Sequence, residues 1–363
     1  MRFGIGGKSL FCGCMLAAIL VFSARTSFAQ QAAAPAPAKA SAKTGADKPT
    51  TKKELSFHED WNAIGLEGST LIPDKPVPGD KNDTTGNIFI RESYQMVWRP
   101  SDPMDVYVVR PRGVEKPPVI IYLYSFPQDT ERFKNDHWCT AVTVNGYAAV
   151  GIVSALTGHR TEHHAPKEWF VSELQESLAE STHDIQMILN YLQTRGDVDM
   201  TRVGIFGQGS GGAIAILASA ADARIKALDV LTPWGDWPTW LAKSKMVPDD
   251  ERAKYMTPEF LAKVATLEPT KWLPKVKARS VRVQNVRKDG NVPDEVQEKM
   301  EAAAPDITEI NQYADGRALV PAAAGGRLLD WLKDELRPDA KPAVAAAASE
   351  RTHFFATKKD VIQ

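Results

Sequence analysis

The stretch "RVGIFGQGSGGAIAILAS", Arg202–Ser219, decides the fold. Its opening "RVGIFG" is apolar and β-rich, as a buried strand should be. Residues 207–212 then hold four glycines, which let the backbone reverse sharply and let two elements approach closely. The remainder, "AIAILAS", is small and apolar, a helix suited to packing on a sheet. Strand, tight turn and buried helix in immediate succession are one half of a βαβ unit.

The same alternation extends in both directions. Upstream, "DVYVVRP" (105–111), "VIIYLYS" (119–125) and "YAAVGIVSA" (147–155) are short apolar runs. The second is nearly all apolar, as a strand covered on both faces should be, and the third reads as another buried strand. Between the last two, "PQDTERFKNDHWCTAVTVNG" has helical spacing and stops at Gly146. "SELQESLAESTHDIQMILNYLQTRG" places Leu174, Leu178, Ile185, Ile188 and Leu192 on one stripe and stops at Gly196, an amphipathic helix. On it, His183 and Asp184 are expected as a solvated or flanking pair. Downstream come strands "IKALDVL", "SVRVQNV" and "ITEINQYA", with helices "DEVQEKMEAAA" and "GGRLLDWLKDEL". Strand and helix alternating without repeats predict an α/β domain: a mostly parallel sheet flanked by helices. One insert, about residues 232–279, interrupts the rhythm and carries Trp234, Trp237, Trp240 and Trp272. It is expected as a possible cap over the ligand-binding edge of the sheet, with Trp234 and Trp237 as pocket candidates beside plain packing roles.

The order of these elements over roughly Asp105 to Leu336 resembles the α/β-hydrolase fold, nearest to dienelactone hydrolases and prolyl-oligopeptidase catalytic domains. In that family a G-x-S-x-G elbow holds a nucleophilic serine at a strained strand-to-helix turn. Reading Gly207-Gln208-Gly209-Ser210-Gly211 onto it puts Gly209, without a side chain, at the nucleophile position. Shifting by one residue would seat Ser210 there but would replace the first glycine by Gln208. The resemblance implies a triad acid in "VRKDGNVPDE", where Asp289 stands, with a turn aspartate as the other reading. It implies a histidine in "QYADGRALVP", read as a loop, where Arg317 stands instead. An arginine stays protonated and cannot accept a proton from a hydroxyl. A pairing of Arg317 with Asp289 is expected. The family's "H-G" after the third strand reads Tyr124-Ser125 here. The backbone N–H groups of Phe126 and Ser210 are the oxyanion-hole candidates, and Tyr124 and His159 are further pocket candidates.

The reading that follows is a hydrolase-fold protein with a degenerate triad, acting by binding or by pocket chemistry that needs no serine. One alternative is an esterase- or peptidase-like hydrolase using Ser210, whose hydroxyl otherwise is expected to cap N–H groups of its own helix. A second is a metal-dependent enzyme using the loop His159–His164, which contains "HRTEH". That motif needs a helix to align its histidines, and Gly158 and Pro166 leave no room for one. No metal site and no cofactor are therefore assigned.

At the amino end, Arg2 and Lys8 precede the apolar run "LFCGCMLAAILVF" and the small-residue pattern "TSFA". This is the signature of a signal peptide over residues 1–29 with cleavage after Ala29, hence export to periplasm or medium. The run is shorter than the roughly 20 residues of a membrane span. Cleavage removes Arg2, Lys8 and Arg25 and no acid, so the formal net charge moves from −1 to −4. A nucleic-acid partner, which would need a basic face, is not expected. The expected partner is an unknown small molecule, with an anionic one among the candidates. Only Cys139 would remain, so no internal disulfide is available. Residues 30–53, rich in Ala and Pro, read as a flexible linker, residues 54–337 as a single domain, and residues 338–363 as a low-complexity tail.

Overall fold

The computed structural model describes residues 77–78, 88–96, 104–126, 131–152 and 174–338. The signal-peptide, linker and tail readings, and the loop His159–His164, lie outside the described residues.

Nine strands form one sheet in the order β1-β2-β3-β5-β4-β6-β7-β8-β9. They are β1 Val77–Pro78, β2 Phe89–Met96, β3 Met104–Pro111, β4 Pro118–Leu123, β5 Ala148–Ile152, β6 Asp199–Gln208, β7 Ile225–Leu231, β8 Ser280–Val286 and β9 Thr308–Tyr313. From β5 to β9 every neighbouring pair is parallel, while β1, β2 and β3 join antiparallel. Strands β4 and β5 are buried along their whole length, in keeping with their near-continuous apolar sequence, and β8 is equally buried although Ser280, Arg282, Gln284 and Asn285 are polar.

Strand β2, "FIRESYQM", does not stand out as apolar because charged residues interrupt it. They are matched by ion pairs instead: Arg91 with Asp136 at 2.8 Å, and Glu92 with Arg195. Hydropathy alone does not report such compensation.

The helices are α1 Glu131–Lys134, α2 Asp136–Thr143, α3 Leu174–Arg195, α4 Ser210–Ala221, α5 Trp237–Lys243, α6 Arg252–Tyr255, α7 Pro258–Val264, α8 Pro269–Trp272, α9 Asp294–Ala303, α10 Gly316–Ala323 and α11 Asp330–Glu335. One apolar core joins α3, α4 and the insert to one face of the sheet, and a second joins α2, α10 and α11 to the other. Asp184, expected in a solvated or flanking pair, is fully buried. It lies on the side of α3 that also carries the buried Ser181 and Ile188, three and four residues away, and Ser177, two turns back.

The insert is built from α5 to α8, which pack against α3, α4 and α9. Trp234, Trp237 and Trp240 are at most 1 % exposed and belong to the core. Ring centroids of Trp234 and Trp240 stand 4.5 Å apart, and Trp237 meets Trp240 edge-on at 5.9 Å. The two residues named as pocket candidates thus lie buried in the core, packed against Trp240.

Candidate functional site

The parallel strands β4, β6, β7, β8 and β9 end at one edge of the sheet, with Leu123, Gln208, Leu231, Val286 and Tyr313 as their last residues. Gly209, Asp289 and Arg317 follow three of these ends, so the topology gathers the candidate residues at this edge.

Gly209 joins β6 to α4 with φ +55° and ψ −118°. An L-residue held in such a sparsely populated region is strained by about 1–3 kcal/mol, and glycine is not. The backbone fixes it from three sides. Its N–H donates to the Leu231 carbonyl at 3.0 Å, and its carbonyl accepts from Trp234 N at 3.0 Å and Ala213 N at 3.2 Å. Two residues earlier, a methyl group on Gly207 would stand 2.8 Å from the Ala215 Cβ, so that glycine lets helix and strand touch.

The space above Gly209 is filled. A Cβ built there would collide with the Ser125 Oγ, lie 2.7 Å from the Ser125 Cβ and 3.2 Å from the Trp234 indole nitrogen. Ser125 comes from the turn after β4, the segment that replaces the family's "H-G". Its Oγ accepts a long, 3.4 Å hydrogen bond from Ser210 N–H.

Ser210 opens α4 and is 3 % exposed. Its Oγ accepts from Phe126 N–H at 2.9 Å. The expectation that it caps its own helix is thus corrected. The capping position belongs to Gly209, which makes no side-chain cap, and the serine one step later reaches sideways to the neighbouring turn. The two oxyanion-hole candidates, Phe126 N–H and Ser210 N–H, each face a serine hydroxyl of the chain itself.

Tyr124 turns away from the elbow. Its hydroxyl accepts from Trp138 Nε1 at 2.9 Å and Arg132 lies 4.5 Å over its ring. Burial pushes its phenol up, against the lowering effect of Arg132 and Trp138.

Asp289 follows Lys288, itself in the left-handed region at φ +61°. An Asp289 carboxylate oxygen accepts from Asn291 N–H at 2.9 Å, the turn geometry that was the other reading of this residue. Burial raises its carboxyl, and the amides of Asn291 and Val292 together with Lys245 pull it back. Arg317 sits in the first turn of α10 rather than in a loop, because Asp315 caps that helix by accepting from Arg317 N–H at 2.9 Å and Ala318 N–H at 3.0 Å. The Arg317 side chain is exposed, and it forms no ion pair with Asp289 among the described residues.

Residues 104–235 match the model of the dienelactone hydrolase family. Among solved structures, the chain is similar to acetyl xylan esterase 1 from a Thermoanaerobacterium species, with 13 % identity, a TM-score of 0.56, and 70 % of this chain and 86 % of that one covered. An acetyl xylan esterase from a Paenibacillus species gives 16 % identity and a TM-score of 0.55, covering 74 % and 90 %. The Pyrococcus horikoshii acylaminoacyl peptidase gives 17 % identity and a TM-score of 0.52, covering 73 % of this chain and 41 % of that one. No curated protein matches in sequence. With its sheet order and helix layers, the chain has the α/β-hydrolase fold, and the part of it from residue 104 to residue 235 is similar to the dienelactone hydrolase family.

Ser125 is what the sequence reading missed. It is visible there only as a departure from a family motif, and nothing local says that its side chain fills the seat above Gly209.

Proposed function

We propose that this chain keeps the hydrolase scaffold without serine-hydrolase chemistry, and that it acts by binding a small molecule at the C-terminal edge of its sheet. The observation that supports this reading is Gly209, whose backbone takes φ +55° and ψ −118° at the strand-to-helix turn and stands under the side chain of Ser125. Removal of the nucleophile from a serine protease costs about 10⁶ in turnover, equivalent to roughly 8–9 kcal/mol of barrier. No preference for glycine in a strained turn compares with that, so a chain under pressure to hydrolyse esters would retain the hydroxyl. Arg317 near the expected histidine position cannot act as a base. It stands exposed at the same edge, and an anionic group on the ligand would pair with it.

Ser210 gains no support as a nucleophile, since its Oγ already accepts from Phe126 N–H and is buried. The test is labelling of the intact protein with a fluorophosphonate. We expect no adduct by intact mass; a stoichiometric adduct mapping to any serine at this edge would overturn the reading. We further infer that the protein is exported, on the strength of residues 1–29.

A further inference from the structure

Two serines 85 positions apart in the chain exchange contacts across the elbow. Ser210 Oγ takes the N–H of Phe126 at 2.9 Å, and Ser125 Oγ takes the N–H of Ser210 at 3.4 Å. The Ser125 side chain also fills the volume in which any side chain on Gly209 would begin. In a hydrolase elbow these same places belong to the nucleophile and to the oxyanion of the reacting acyl group.

We propose that Ser125 is an occluding residue: its side chain occupies the nucleophile's seat and, with the hydroxyl of Ser210, occupies the amides that would otherwise receive an anion. The seat is thus shut by the chain itself, not merely lacking one atom. This rests on Gly209 being the apex residue, and it goes further in assigning the closure to a second, distant side chain.

The reasoning is steric first. The Ser125 Cβ would be 2.7 Å from a Cβ at position 209, a separation that packed carbons do not tolerate. Gly209 itself cannot retreat, since Leu231, Trp234 and Ala213 hold its backbone. Ser125 is the neighbour whose truncation makes room. The hydrogen bonds come second. An amide already facing a hydroxyl must lose that partner before it can bind an incoming oxyanion.

The experiment introduces a side chain at the apex with and without the occluder. Gly209→Cys and Gly209→Cys with Ser125→Gly are treated with iodoacetamide, and alkylation at position 209 is followed by peptide mass. A thiol needs no histidine to react slowly at mildly alkaline pH, so the measurement is independent of the altered triad. The expected result is rescue by Ser125→Gly: alkylation about tenfold faster in the double variant, or a soluble, folded double variant where Gly209→Cys alone does not fold. Alkylation at equal rates in the two, or a Gly209→Cys chain that fails to fold and is not restored by Ser125→Gly, would overturn the proposal. Fluorophosphonate labelling of the unaltered protein would instead count against the reading beneath it, so the two failures are told apart.

Discussion

At the scale of single residues, the proposed reading divides between Gly209 and Ser210 the work that one serine does in an active elbow. Gly209 takes the backbone conformation without strain, and Ser210 supplies a hydroxyl that ties the helix to the turn after β4. This structural role for Ser210 predicts a structural cost. Ser210→Ala removes the acceptor of Phe126 N–H in a buried setting and should lower unfolding stability by about 1–3 kcal/mol in urea titration. An unchanged midpoint would mean that the 2.9 Å contact contributes nothing.

At the scale of elements, the second core is held by a buried polar row across β7, β8 and β9. Arg282 donates to both oxygens of Asp229, at 3.0 and 2.7 Å, and Gln284 donates to Asp229 at 2.9 Å. Tyr313 donates to Gln284 at 3.0 Å, and Arg282 also reaches the Leu328 carbonyl and lies 4.9 Å over the Trp331 ring. One guanidinium therefore links two strands to the segments that follow β9. Breaking such a pair from one side leaves a charge without its counterion, typically a loss of about 3–5 kcal/mol. Arg282→Met should show that loss near pH 7.

The pH dependence of this variant has a definite sign. Burial raises the Asp229 carboxyl, and Arg282 opposes the rise. Without Arg282 the folded state holds the Asp229 proton more tightly than the unfolded chain does. Protonation then favours the fold, so the deficit of Arg282→Met should be largest above the raised value and shrink as the pH falls through it. Urea unfolding of variant and parent at a series of pH values checks this. A deficit that grows on acidification would contradict it.

Most elements were legible in advance because their signals are local. A run such as "VIIYLYS" is buried on both faces wherever it sits in the sheet, and Leu174, Leu178, Ile185, Ile188 and Leu192 share a stripe in any helix. Strand β2 was not legible, since its charges are balanced by residues on other elements: Arg91 by Asp136 on α2, and Glu92 by Arg110 on β3 and Arg195 on α3. The helix at Gly316 was hidden as well: Pro321 inside it and the two glycines after it suggest a loop, whereas Asp315 supplies a cap whose effect depends on where β9 ends.

At the scale of the whole molecule, the described residues make one sheet with two cores, and no helix among them is long and apolar enough to cross a membrane. The proposed export would be a property of the amino-terminal segment rather than of this body. If the signal peptide is cleaved as proposed, amino-terminal sequencing of protein recovered outside the cytoplasm should begin at Gln30. A chain starting at Met1 there would refute the cleavage.

The sequence by itself determined the alternation of strands and helices and the glycine at the elbow, because both are written in residues adjacent along the chain. Only the tertiary structure decided that Ser125 fills the seat above that glycine, that Phe126 N–H and Ser210 N–H are already engaged, and that Trp234 and Trp237 are core. Each of these depends on which distant side chain the parallel sheet brings alongside, and close packing, not local pattern, selects it.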